Sequence, residues 1–140
     1  MRFMVIVPAT KESEAGTLPD QRILDEMGKF NEEMAKAGVM LAGEGLHPSS
    51  EGVRLKYAGG KTTVTAGPFE DAKRLIAGFW LIEAQSKDEA ITWMKRAPFG
   101  GGFEIEIRPI FEIEDFGAAA TPEIREREAR LRRRVAEQVR

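Results

Sequence analysis

Residues 64–83 read VTAGPFEDAKRLIAGFWLIE: two strand-like runs joined by a Gly67–Pro68 turn and a short charged helical segment. The second run, residues 76–84, is rich in apolar and aromatic side chains and reads as a central strand. Phe79 and Trp80 leave it on opposite faces, so one belongs to a core and the other meets a pocket or an interface. Upstream, Val53–Ala58 and Lys61–Ala66 flank Gly59-Gly60, a two-residue hairpin signal that predicts antiparallel pairing.

Outward from this centre the chain divides into two similar halves. In residues 2–8, Phe3, Val5 and Val7 alternate with Met4 and Ile6, so both faces are apolar, as in an interior strand. Residues 10–18 read as a polar loop. Ile23, Met27, Phe30, Met34 and Ala37 then recur at helical spacing, with Asp20 or Thr17 as cap and Gly38 as the stop. A strand over 39–46 follows. In the second half, Ser86 and Glu89 fit a capping box opening a helix that Pro98 and Gly100–Gly102 end. Alternation over 103–114 predicts the last strand.

The order β-α-β, hairpin, β-α-β is that of an α+β, ferredoxin-like split β-α-β fold with an inserted β-hairpin. Two helices can cover only one face of such a sheet. With apolar residues on both faces, the other is expected to meet a second subunit, giving a dimeric α/β-barrel. Residues 121–140, TPEIREREARLRRRVAEQVR, read as a C-terminal helix with Ile124, Leu131, Val135 and Val139 on a narrow stripe. We expect a first domain over 1–116 and a helical extension over 117–140.

Composition narrows the chemistry. The chain has no cysteine and one histidine in 140 residues, which excludes disulfides, thiolate catalysis and a multi-His metal centre within one subunit. No metal or cofactor is implied, no apolar run approaches a membrane span, and MRFMVIVPA is too short for a signal peptide, so a cytoplasmic setting is expected. Residues 121–140 carry seven arginines against four glutamates, and the remainder fourteen bases against nineteen acids. An acidic body is no footprint for nucleic acid. The basic tail helix suits packing against a dimer partner or docking on an acidic protein.

MRFMVIV, AGVMLAGEGLHPS, VTAGPFEDAKRLIAGFWLIEA, DEAITWMKRAP and EIEIRPIFE, in that order and spacing, resemble the YCII-related family with its DGPF signature. The resemblance covers about residues 1–116 and implies small dimeric α+β proteins, mostly without assigned activity. Some members are thought to use a His–Asp pair in lyase or dehydrochlorinase chemistry. Relatives occur beside or fused to alternative sigma factors of the extracytoplasmic-function type. This chain departs at two positions: Ala66 replaces the acid before GPF, and Arg74 replaces the acid after the family's lysine, which is kept as Lys73.

A few residues could carry chemistry. His47, where a strand opens into a loop, could move a proton with Glu44 or Asp71 as orienter; the plain alternative is an exposed loop histidine. Glu44 lies between Gly43 and Gly45, where a ligand can approach the backbone closely, or it is a surface charge paired with Arg54 or Arg108. Arg54 and Arg108 present guanidinium forks suited to a carboxylate-bearing ligand, or make salt bridges across the sheet. The expected set is His47 and Asp71 as catalytic residues, with Glu44, Arg54, Lys73, Trp80 and Arg108 as ligand contacts. The function expected is binding of a small anionic organic molecule between sheet and helices, with acid–base elimination or isomerisation where turnover occurs. The alternatives are a regulatory module for a protein partner such as a sigma factor, and a non-catalytic dimer scaffold.

Overall fold

The computed structural model describes residues 1–139. They form two compact units, residues 1–109 and residues 110 onward, described separately below.

The first unit is built on β1 (Arg2–Pro8), β2 (Met40–Gly45), β5 (Ile76–Glu83) and β6 (Glu106–Pro109), a four-stranded antiparallel sheet in the order β2-β5-β1-β6. This is the split β-α-β arrangement, with strands from the two halves interleaved. β3 (Val53–Ala58) and β4 (Lys61–Ala66) form a separate two-stranded hairpin in the register Val53↔Ala66 to Ala58↔Lys61. Gly59 and Gly60 have φ of +56° and +77°, left-handed values that a two-residue turn between twisted strands requires.

Alternation along the strands sends Phe3, Val5, Trp80 and Ile82 to one side of the sheet. There they pack with Phe30 and Met34 of α2 (Gln21–Lys36) and Ala90 and Met94 of α3 (Lys87–Met94). Phe3, Val5, Met34 and Ile82 are fully buried, and they anchor the core from both layers. Asp20 caps α2 by accepting from the Ile23 amide at 2.9 Å, and Gly38 follows its end at φ +72°. Ser86 caps α3 by accepting from the Glu89 amide, while the Glu89 carboxylate accepts from the Gln85 amide, one residue before the cap.

Two expectations are corrected. Residues 10–18 are not all loop, because the Thr10 and Ser13 side chains each accept from the other's amide and close a short helix, α1 (Lys11–Glu14). The last strand is much shorter than 103–114. Phe103 stacks on Phe99 at 4.8 Å instead of joining the sheet, and pairing with β1 stops at Phe3↔Pro109, where proline has no N–H to continue the ladder.

In the second unit, a 3-10 segment (Ile113–Ala119) is capped by Glu112 and Asp115 and leads to α4 (Pro122–Gln138). Thr121 caps α4 through the Ile124 amide, as its TPE opening predicts, and none of its residues is buried. No helix is long and apolar enough to cross a membrane among the described residues.

Candidate functional site

A cleft of about 220 Å³ opens between the helix-side face of the sheet and α2. Its floor is the rung Gly45↔Gly78, two glycines facing each other across β2 and β5. Its walls are Val7, Met27, Trp80 and Phe99, with Asn31 of α2 as the polar side chain among them. The glycines differ in what they permit. A Cβ on Gly78 would lie 2.7 Å from the Glu44 carbonyl oxygen, so bare backbone is needed there for the strands to approach. A Cβ on Gly45 would meet nothing within 4 Å, so that position is open space.

Trp80 is the fixed wall. Its ring meets Phe30 edge-on at 5.9 Å and Phe99 at 6.0 Å, and its indole Nε1 donates to Asn31 Oδ1 at 2.9 Å. It can lie against β2 because Gly43 has no side chain: a Cβ there would come within 2.7 Å of Trp80 Cδ1.

Of the residues singled out in the sequence, Glu44 and Trp80 line the cleft. Glu44 does so at an exposed rim, and alternation between Gly43 and Gly45 directs its side chain to the other side of the sheet. Arg54, Lys73 and Arg108 are elsewhere. Arg54 Nη1 donates to Asp71 at 2.8 Å and its guanidinium covers the Phe69 ring at 3.9 Å; Arg108 lies 3.7 Å from Glu106. Lys73 is exposed in the 3-10 turn Ala72–Arg74. Among the described residues the cleft lining therefore has no basic side chain, which corrects the expectation of a guanidinium-held anion there.

His47 is not oriented by Glu44 or Asp71. Its side chain is 83 % exposed with Nδ1 2.8 Å from Glu51 Oε2, while Asp71 is held by Arg54 and by Arg74 at 3.0 Å. The Arg54 hydrogen bond is the main reason the Asp71 carboxyl titrates below its ordinary value. No group of three His, Asp or Glu among the described residues is placed to hold a metal ion.

The GPF turn, with a cis Gly67–Pro68 bond, has its own anchorage. Ser49 Oγ accepts from the Phe69 amide at 3.0 Å and donates to Glu14, which also accepts from the Ser49 amide at 2.9 Å. These bonds, the hydroxyl's first, hold the Glu14 carboxyl below its ordinary range. Gly67 fits because its α-carbon is bare where the Ser49 backbone carbonyl packs against it. Phe69 accordingly sits half-buried beneath Arg54 and outside the main core.

The motif blocks thus fall into two structural tasks, the strand floor of a cleft and a tied-down turn beside it. A YCII-related domain profile matches residues 1–114. The chain belongs to the YCII-related family. An uncharacterised protein of Rhizobium meliloti (strain 1021) is 28 % identical over 95 residues, 65 % of this chain and 75 % of the relative. Among solved structures, the 5-chloro-2-hydroxyhydroquinone dehydrochlorinase TftG of Burkholderia phenoliruptrix AC1100, in complex with 2,5-dihydroxybenzoquinone, is 18 % identical. The match has a TM-score of 0.46 and covers 80 % of this chain and 95 % of that one.

For this YCII-related chain, sequence reasoning missed Asn31, Phe99 and the Glu14–Ser49 tie. A signal for Asn31 was present: an amide one residue from Phe30 on the apolar side of α2, where a polar group needs a reason. Glycines at alternate positions 43 and 45 of one strand likewise mark a face stripped of side chains. The tie could not be found from spacing, because its partners are 35 and 20 residues apart.

Proposed function

We propose that this protein binds a small organic molecule in the cleft over Gly45 and Gly78. The observation that carries the reading is the vacant floor: where neighbouring rungs bear Trp80 and Ile82, this one bears no side chain, and α2 does not fill the gap. The volume is below the roughly 300 Å³ at which drug-sized ligand pockets begin, which favours a metabolite the size of one substituted ring. Among the described residues the ionisable residue of the lining, Glu44, sends its side chain to the other side of the sheet, so the reading is one of binding. The test is native mass spectrometry of gently purified protein, comparing wild type with Gly45→Leu. The leucine enters open space, so the variant should fold and lose a co-purifying small molecule that the wild type retains. A ligand kept equally by both proteins would sink the reading.

The active form is proposed to be a homodimer packed through the open face of the sheet. Half-buried Met4, Ile6, Phe79 and Leu81 lie there, opposite the face of Phe3, Val5, Trp80 and Ile82. Light scattering on Leu81→Glu checks this, and an unchanged mass of two chains would refute that face as the interface.

A second reading rests on α4. Ile124, Leu131 and Val135 are 40 %, 54 % and 50 % exposed, and Arg127, Arg133 and Arg134 lie beside Leu131. An amphipathic basic helix of this kind suits the groove of an acidic protein partner, with a sigma factor of the extracytoplasmic-function type as the candidate. Deleting residues 121–140 should abolish capture of that sigma factor, and undiminished capture would rule α4 out as the docking element.

A further inference from the structure

We infer that the molecule held in this cleft is a neutral, flat, monocyclic compound bearing an oxygen acceptor, and that Asn31 selects it. The inference rests on the cleft reading above and adds the ligand's chemistry.

The indole Nε1 of Trp80 is a donor only, so the atom of Asn31 facing it at 2.9 Å must be the carbonyl Oδ1. That contact fixes the orientation of the carboxamide. It leaves the Nδ2 amino group, with two N–H donors, bonded to no protein atom among the described residues. Trp80 in turn is held by Phe30 and Phe99, so the amide cannot turn over without losing the indole bond. The cleft therefore offers a guest a fixed donor, and the guest must supply an acceptor: a carbonyl, ether or hydroxyl oxygen.

Charge decides the next point. Among the described residues no lysine or arginine lines the cleft, and Glu44, the ionisable residue there, sends its side chain to the other side of the sheet. A carboxylate or phosphate guest would lose hydration without gaining a counter-charge, a cost a single neutral amide does not offset. Size decides the rest. An apolar cavity of about 150 Å³ accepts benzene, so about 220 Å³ accommodates one ring with a small substituent and excludes nucleotide-sized molecules. The bare Gly45–Gly78 backbone beside the Trp80 ring favours a flat guest.

Acetophenone and ethylbenzene make a matched probe pair, similar in shape with and without the acceptor oxygen. Each is titrated into isotope-labelled protein while the two indole N–H resonances are followed, Trp80 being assigned with Trp93→Phe. The expected result is that acetophenone moves the Trp80 resonance and binds about tenfold more tightly than ethylbenzene, the value of one neutral hydrogen bond. Asn31→Asp keeps the acceptor for Trp80 and replaces the free donor by an acceptor, so the preference should vanish while ethylbenzene still binds. Equal wild-type affinities, or a preference that survives Asn31→Asp, would overturn the acceptor rule and leave the cleft intact. No response to either probe, or an identical response in Gly45→Leu, would overturn the cleft reading and the inference with it. Should Asn31→Asp fail to fold, the wild-type comparison decides alone.

Discussion

Gly45 and Gly78 face each other on one rung of the β2–β5 ladder, yet alanine should have opposite effects at the two positions. At Gly78 the new Cβ would stand 2.7 Å from the Glu44 carbonyl oxygen, against about 3.4 Å for ordinary contact, so the strands must part by roughly 0.7 Å. The adjoining Leu46 N to Ala77 O bond, now 2.7 Å, would stretch past the usual limit of about 3.2 Å. One or two ladder bonds at about 1 kcal/mol each are at stake, less the few tenths that alanine gains over glycine in the unfolded chain. Gly78→Ala should therefore cost about 1 to 2 kcal/mol. Gly45→Ala meets no atom within 4 Å and keeps only the entropic gain, so it should stabilise by about 0.5 kcal/mol. Urea unfolding of wild type and both variants, with the slope held common, reads the difference as a separation of midpoints. Equal midpoints for the two variants would refute the claim that backbone approach on the β5 side is what keeps this floor bare.

Acid should loosen the GPF turn. Glu14 and Asp71 both titrate below their ordinary values of 4.5 and 3.8, so the stability they contribute is complete above those values and lost as pH falls through the depressed ones. The protection of the Phe69 amide against exchange, relative to its intrinsic rate at each pH, should fall in that acid window, and Ser49→Ala should lower it already at neutral pH; a Ser49→Ala protein exchanging like wild type at pH 7 would count against the tie. Met34 is fully buried between α2 and the sheet, so Met34→Ala should cost about 2 to 5 kcal/mol, whereas Ile23→Ala, on the same helix but 39 % exposed, should cost well under half as much. Thermal melts of the two variants check the order, and similar losses would mean that the inner face of α2 is wrongly assigned.

The split β-α-β order, the Gly59-Gly60 hairpin, the caps at Asp20, Ser86 and Thr121 and the inward face of α2 were all legible in the sequence. They depend on residues within one or two turns of each other: a hydroxyl three residues before an amide, apolar side chains at helical or alternate spacing, glycines where φ is positive. The shortening of β6 was not legible, since it depends on Phe103 choosing Phe99 over the sheet. The candidate site was half legible. Trp80 and the glycines around Glu44 drew notice as residue types, but the partners of His47, Arg54 and Asp71 were not open to spacing arguments. Charged side chains are long and pair with whatever the fold brings near, here Glu51, Asp71 and Arg74. What the sequence by itself determined is the address: the order of elements, their termini and the family to which they belong. What the tertiary structure alone decided is where space was left over. That required Gly45 to meet Gly78, Trp80 to be pinned by Phe30, Phe99 and Asn31, and Arg54 and Arg108 to pair with Asp71 and Glu106, since a cavity is a property of surfaces that meet only after the chain has folded.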